Sequence, residues 1–116
     1  VKFGFLLRTG PYTSQNSDTI YELCRRALAK GHECSVFLYE DGVYQVDKDI
    51  KAPQERNIAE RWAELIQHGA QVVACGVCAQ FRGQAKDDVL PGVRRAGLAS
   101  LVKMVAECDR FVSFGF

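Results

Sequence analysis

The chain has 116 residues and a net charge of +1, with 47% apolar and 25% charged side chains. That length fits one domain with a modest core, so residues 1–116 are expected to form a single domain. The near-neutral balance lacks the basic footprint of a nucleic-acid binder, and no apolar run reaches the roughly 18 residues of a membrane span.

Lys2 to Arg8 is short and apolar, as in a buried strand. It meets turn residues too soon to serve as a secretory signal. Thr9 to Ser17 is a polar loop, and its hydroxyls are candidates for holding an anion. Ser17 or Asp18 is expected to cap a first helix whose apolar stripe is Ile20, Leu23, Cys24, Ala27 and Leu28. Gly31 ends it. Glu33 to Tyr39 is nearly all apolar, which fits a strand covered on both faces.

Glu40-Asp41-Gly42 turns the chain, and Val43 to Pro53 reads as a long irregular loop of the kind that carries function or an interface. A second helix is expected from about Glu55 to His68, with Ile58, Trp62, Leu65 and Ile66 inward. Gln71 to Cys75 is a third strand. Gly76 to Gly92 reads as another long loop, with at most one helical turn near Lys86 to Leu90. A short strand falls between Gly92 and Gly97. A last helix from about Leu98 to Cys108 carries the stripe Leu98, Leu101, Val102, Val105 and Cys108, and Arg110 to Phe114 closes the chain as a strand.

Strands alternating with helices point to a three-layer α/β/α sandwich with a mostly parallel sheet of four to five strands. In open sheets of this kind, chemistry gathers beyond the carboxyl ends of the strands. The three longest loops and Cys75 all lie at that edge.

Five cysteines, an odd number without a secretory signal, argue against a disulfide framework and for a reducing, cytoplasmic setting. Cys24, Cys34 and Cys108 fall in apolar patterns and read as packing residues. Cys75 and Cys78 sit at a strand end, where Cys75 is expected to face the crevice. Their spacing alone is weak evidence for zinc, because no second CxxC or HxxxH follows, so neither metal nor cofactor is expected. It also fits a redox pair or two core thiols. A working thiolate needs a cation or convergent N–H groups. Arg82 is the nearest cation in sequence, and Gly76 and Gly83 would let backbone amides approach. Val77 and Phe81 are expected to exclude water. Asp41 and Tyr44 leave the same edge and are candidates to line a pocket or interface.

Cys75 followed by Arg82-Gly83, Gly31-His32-Glu33 leading into Val36-Phe37-Leu38-Tyr39, Asp41-Gly42-Val43-Tyr44, and the ending Cys108-Asp109-Arg110-Phe111-Val112 together resemble the DsrE/TusD family of sulfur-relay proteins, including its YchN-like members. The early Gly10-Pro11-Tyr12 and the run Gly97-Leu98-Ala99-Ser100-Leu101 fit as well. The resemblance implies a cysteine, here Cys75, that takes sulfane sulfur as a persulfide and hands it on. Cys78 matches a second cysteine seen in YchN-like members. The implied partners are sulfur donor and acceptor proteins, in tRNA 2-thiouridine synthesis or sulfur oxidation. The implied assembly is a homotrimer or homohexamer, or a DsrE/F/H-type complex, with no membrane and no direct nucleic-acid contact. The alternatives are a non-catalytic assembly subunit and a CxxC thiol oxidoreductase. A small-ligand site at the sheet edge is a fourth.

Overall fold

The structure is a computed structural model that describes residues 1–116. Its elements are β1 (Lys2–Leu7), α1 (Asn16–Ala29), β2 (Glu33–Leu38), α2 (Ile58–Gln67), β3 (Gln71–Cys75), α3 (Gly76–Phe81), β4 (Arg94–Ala96), α4 (Leu98–Glu107) and β5 (Arg110–Phe114). Two 3₁₀ segments, Glu40–Val46 and Lys86–Asp88, complete them. All five strands are parallel, in the order β4-β3-β2-β1-β5. The α/β sandwich expected from the alternation of elements is the fold observed.

The strand order decides which helix covers which face. The chain steps in one direction from β1 through β4, then jumps back across the whole sheet to β5. Right-handed crossovers therefore place α1 and α2 on one face and α4 on the other. On the first face, strand alternation aims Phe5, Leu7, Val36, Leu38, Val72 and Ala74 at Ile20 and Cys24 of α1 and at Ile58, Trp62 and Leu65 of α2, and all of these are buried. Asn57 caps α2, its side chain accepting from Glu60 N at 3.1 Å.

The start of α1 departs from expectation. Gln15 precedes it and no side chain caps it. Ser17 is instead buried, its hydroxyl oxygen 2.6 Å from Gln45 Nε2, while the Asp18 carboxylate accepts from Arg56, just before α2, and from Arg61 within it. Tertiary partners have taken over the groups that a local cap would have used.

The second face is less covered. The apolar periodicity of α4 is present, but only Met104 is buried, while Leu98, Val102 and Val105 are exposed. Cys108 lies just past the helix, half-buried over Gly4. A side chain at Gly4 would strike the Cys108 sulfur and the Phe111 ring.

Residues Glu40–Val46 are the other correction. They form a 3₁₀ segment rather than an irregular loop, with Val43, Gln45 and Val46 fully buried. Gln45 makes this possible: its Nε2 donates to the Thr9 carbonyl at 3.0 Å and its Oε1 accepts from Trp62 Nε1 at 3.0 Å. The Thr9 hydroxyl, expected as an anion ligand, is buried and accepts from Asn16. Gly42 lies so close to the Leu7 carbonyl that any Cβ would collide with it.

Candidate functional site

Cys75 is the last residue of β3 and the N-cap of α3. Its backbone is extended, with φ −66° and ψ 118°, and its Sγ accepts from Cys78 N at 3.4 Å. A sulfur thus occupies the place usually held by a Ser or Asp oxygen. Cys78 lies one turn on, and its Sγ accepts from Glu40 N at 3.2 Å. Glu40 holds a left-handed backbone, φ 52°, rare for a residue with a side chain. Its carboxylate pairs with Arg8 Nε. The 3₁₀ segment therefore presents an N–H to one sulfur, and α3 presents an N–H to the other.

The turn between β3 and α3 was read as the start of a long loop. Six residues of Gly-Val-Cys-Ala-Gln-Phe are too few for helical periodicity to show in the sequence. The helix ends at Arg82, with Gly83 beyond it at φ 68°. Gly83 thus terminates α3 at the end far from Cys75 and does not open space around the sulfur. Gly76 opens the helix beside the Ala96 carbonyl.

Arg82 comes to Cys78 rather than Cys75. Its Nε donates to Asp41 Oδ1 at 2.8 Å and one terminal nitrogen donates to the Cys78 carbonyl at 3.0 Å. The hydrogen bond to Asp41 holds the guanidinium above its ordinary pKa. Asp41 and Arg82, singled out separately in the sequence, thus form one ion pair over the outer side of the turn. Burial, followed by the hydrogen bond with the Cys75 sulfur, pushes the Cys78 thiol up, while the Glu40 N–H and the Arg82 charge act the other way.

Exposure differs from expectation. Cys75 is only 3% exposed and Cys78 7%, so the sulfurs lie beneath the sheet edge instead of lining an open crevice. Val77 and Phe81 do not cover them, since Phe81 is 83% exposed and Val77 also faces out. The 3₁₀ segment and the helix itself provide the cover. Tyr44, on that segment, is partly exposed at the same edge, whereas its neighbour Val43 is wholly buried.

Three contributors were not singled out in the sequence. Glu40 was read as part of a plain turn. Gln84 donates to the Val43 carbonyl at 3.0 Å, and its own carbonyl accepts from Arg95 at 2.6 Å. Together these two side chains tie β4 to the 3₁₀ segment beneath the cysteines. A buried Gln or a left-handed Glu leaves no local pattern, so only the folded chain reveals them. No three His, Cys, Asp or Glu side chains converge on one point.

Comparison with known proteins agrees with this architecture. The DsrE/DsrF-like family matches residues 1–114. The putative sulfurtransferase DsrE of Allochromatium vinosum is 39% identical, over 99% of both chains. Sulfurtransferase TusD of Sodalis glossinidius is 32% identical over 94% of this chain and 95% of its own. Among solved structures, the YchN protein of E. coli superposes with a TM-score of 0.83 at 22% identity, covering 97% of this chain and 98% of its own. The family match runs over nearly the whole chain, and the chain belongs to the DsrE/DsrF-like family.

Proposed function

We propose that the chain is a sulfur-relay protein whose carrier atom is the Cys75 sulfur. The observation that carries this reading is the Cys75 Sγ accepting from Cys78 N at the strand–helix turn. Donation from an N–H favours the anionic form of sulfur over the thiol, and it favours a terminal persulfide anion in the same way. The Cys75 thiolate attacks the outer sulfur of a donor persulfide, R–S–SH. The new Cys75 S–S bond forms as the donor's S–S bond breaks, and R–S⁻ leaves. An acceptor thiolate then attacks the outer sulfur, and Cys75 departs as thiolate. No net oxidation occurs in either step.

Burial adds a condition. With Cys75 at 3% exposure, a donor reaches it only when α3 or the 3₁₀ segment moves aside. Such local openings cost less than global unfolding. The names of the DsrE and TusD relatives, both sulfurtransferases, support the relay reading. Five free cysteines fit a reducing compartment such as the cytoplasm, and no helix is long and apolar enough to cross a membrane.

The partners are a sulfur donor, a sulfur acceptor and further copies of the chain. Cys75 pairs with Ala96, so α3 and α4 start from neighbouring strand ends, and Val77, Phe81, Leu98, Val102 and Val105 on them are exposed. Apolar surface of this kind is ordinarily buried in a symmetric oligomer, which supports the trimer or hexamer. The acceptor's destination is tRNA 2-thiouridine synthesis or sulfur oxidation. Loss of 2-thiouridine from tRNA on deletion of the gene would select the first.

A second reading has its own observation. Cys78 N donates to the Cys75 Sγ at 3.4 Å, and the Cys75 sulfur helps to push the Cys78 thiol up, so the two thiols are neighbours. A Cys78 thiolate attacking the inner sulfur of a Cys75 persulfide would form a Cys75–Cys78 disulfide and expel hydrosulfide. The test separates the two. After incubation with a persulfide donor, intact-mass spectrometry of the relay protein shows a gain of about 32 Da, one sulfur atom, which Cys75→Ser abolishes and Cys78→Ser retains. A loss of about 2 Da in the wild type, absent from both variants, selects the disulfide. An equal gain on wild type and Cys75→Ser overturns the assignment of the carrier.

A further inference from the structure

Parallel sheets covered by helices carry apolar side chains on both faces. The face beneath α4 breaks this rule over its amino-terminal half. There Lys2 of β1, Ser35 of β2 and Arg94 of β4 line a groove of about 80 Å³ together with Ser100, Lys103 and Glu107 of α4. Ser35 is buried, 2% exposed, with only a 3.5 Å contact to Gln71 Oε1 for its hydroxyl. Three cations face one carboxylate. Glu107 accepts from Lys2 at 3.4 Å and lies 3.9 Å from Lys103, so it is shared between the two lysines. Arg94 has no carboxylate partner at all. Its nearest polar neighbour is the Ser100 hydroxyl, at 3.5 Å.

We propose that this groove binds a small, doubly charged tetrahedral oxyanion, of the class of sulfate, thiosulfate and hydrogen phosphate. Charge sets the sign of the ligand, since three cations against one carboxylate leave an excess of two positive charges. Size sets its class. The groove is well below the roughly 300–1,000 Å³ of pockets for drug-sized molecules, and so too small for a nucleotide. Donor chemistry sets the shape: a guanidinium, an ammonium and hydroxyls converge from three sides, as suits several acceptor oxygens around one centre. Strand alternation places Cys75 on this same sheet face, two residues beyond Val73 of the groove wall. The proposal stands apart from the relay reading, because it requires no reactivity of any cysteine.

Isothermal titration calorimetry on the native oligomer tests it, with sodium sulfate, thiosulfate and phosphate as separate arms and sodium chloride at equal ionic strength as reference. The expected result is saturable heat with at least one of the three and none with chloride. Arg94→Gln and Lys103→Gln each weaken it by about tenfold, the scale of one lost charge-assisted hydrogen bond. Both side chains are on the surface, so the variants should fold, which far-UV circular dichroism checks. Lys48→Gln, a change of the same charge away from the groove, leaves the affinity unchanged. The ranking of the three arms separates a sulfur oxyanion from phosphate. Absence of saturation in every arm overturns the proposal. So does binding that chloride reproduces, that survives Arg94→Gln, or that Lys48→Gln weakens equally.

Discussion

Two pairs of cysteines lie in this fold at nearly the same burial and in opposite chemical surroundings. Cys24 and Cys34, 0% and 2% exposed, meet between α1 and β2. Cys75 and Cys78, 3% and 7% exposed, meet at the turn from β3 into α3. In the first pair the Cys34 thiol lies 3.9 Å from the Cys24 carbonyl, and its hydrogen bond with the Cys24 sulfur holds it below the ordinary thiol value. The neighbouring Cys34 sulfur, then burial, push the Cys24 thiol far up. In the second pair both sulfurs accept from backbone N–H groups, Cys78 N and Glu40 N. Burial alone therefore says little about a thiol's role. What differs between the pairs is the backbone group aimed at the sulfur: a carbonyl at Cys34, and N–H donors at Cys75 and Cys78.

The sharpest way to break this comparison is alkylation of the native protein. Iodoacetamide should modify Cys75 or Cys78 at least about tenfold faster than Cys24 or Cys34, because their turn lies at the sheet edge and opens locally. Peptide mass spectrometry over a time course measures all four together. Equal rates would mean that the two pairs are equivalent. Stability should rank them in reverse. Cys24→Ser places a hydroxyl in the apolar core and should cost about 1–3 kcal/mol in urea unfolding. Cys75→Ser should cost less than about 1 kcal/mol, since a hydroxyl oxygen serves as an N-cap acceptor at least as well as sulfur.

This difference was only half legible in the sequence. The apolar runs of β1, β2 and β3 and the terminating glycine Gly31 fixed the alternation of elements, and with it the sheet edge where Cys75 lies. The packing role of Cys24 followed from its helical stripe. The surroundings of Cys75 did not follow. The helix that caps it is shorter than two turns, and the N–H on Cys78 comes from Glu40, thirty-eight residues away in the chain. Arg82 was found but given the wrong neighbour, because sequence distance cannot show that its guanidinium folds back over Asp41. For α4 the stripe was read correctly and its burial was not. Periodicity reports that a face is apolar, but not whether this chain or another copy covers it.

A smaller effect sharpens the comparison from the closed side. The Asp18 carboxylate takes two hydrogen bonds from Arg56 and one from Arg61, holding α1 against the start of α2. The Arg56 hydrogen bond keeps its pKa below the ordinary 3.8. A depressed carboxylate adds stability that is whole above the unfolded pKa and is lost as pH falls through the folded one. Asp18→Asn should therefore cost about 1 kcal/mol near pH 7, after allowance for solvent screening of a partly exposed group. The difference should be whole above about pH 4 in urea titrations and shrink only as pH falls below that, through the depressed folded value. If α1 controls access to the core pair, the variant also labels faster at Cys24 and Cys34 and at an unchanged rate at Cys75. Faster labelling at all four would show that one global opening governs both pairs.

The smallest effect concerns the charge beside Cys78. Arg82 lowers the pKa of that thiol against the larger opposing effects of burial and the Cys75 sulfur, and Asp41 neutralises much of the guanidinium. Removing the cation in Arg82→Gln should move the pH profile of Cys78 alkylation upward, so that labelling slows at neutral pH and recovers as pH rises. Asp41→Asn should move it downward, because the guanidinium is then unopposed. The profile of Cys24, distant from both, should stay in place. Opposite shifts of this kind would make the ion pair an adjustable part of the site. If neither substitution moves the Cys78 profile, the Glu40 N–H alone offsets the burial, and the left-handed turn at Glu40 becomes the feature that separates this pair from the one in the core.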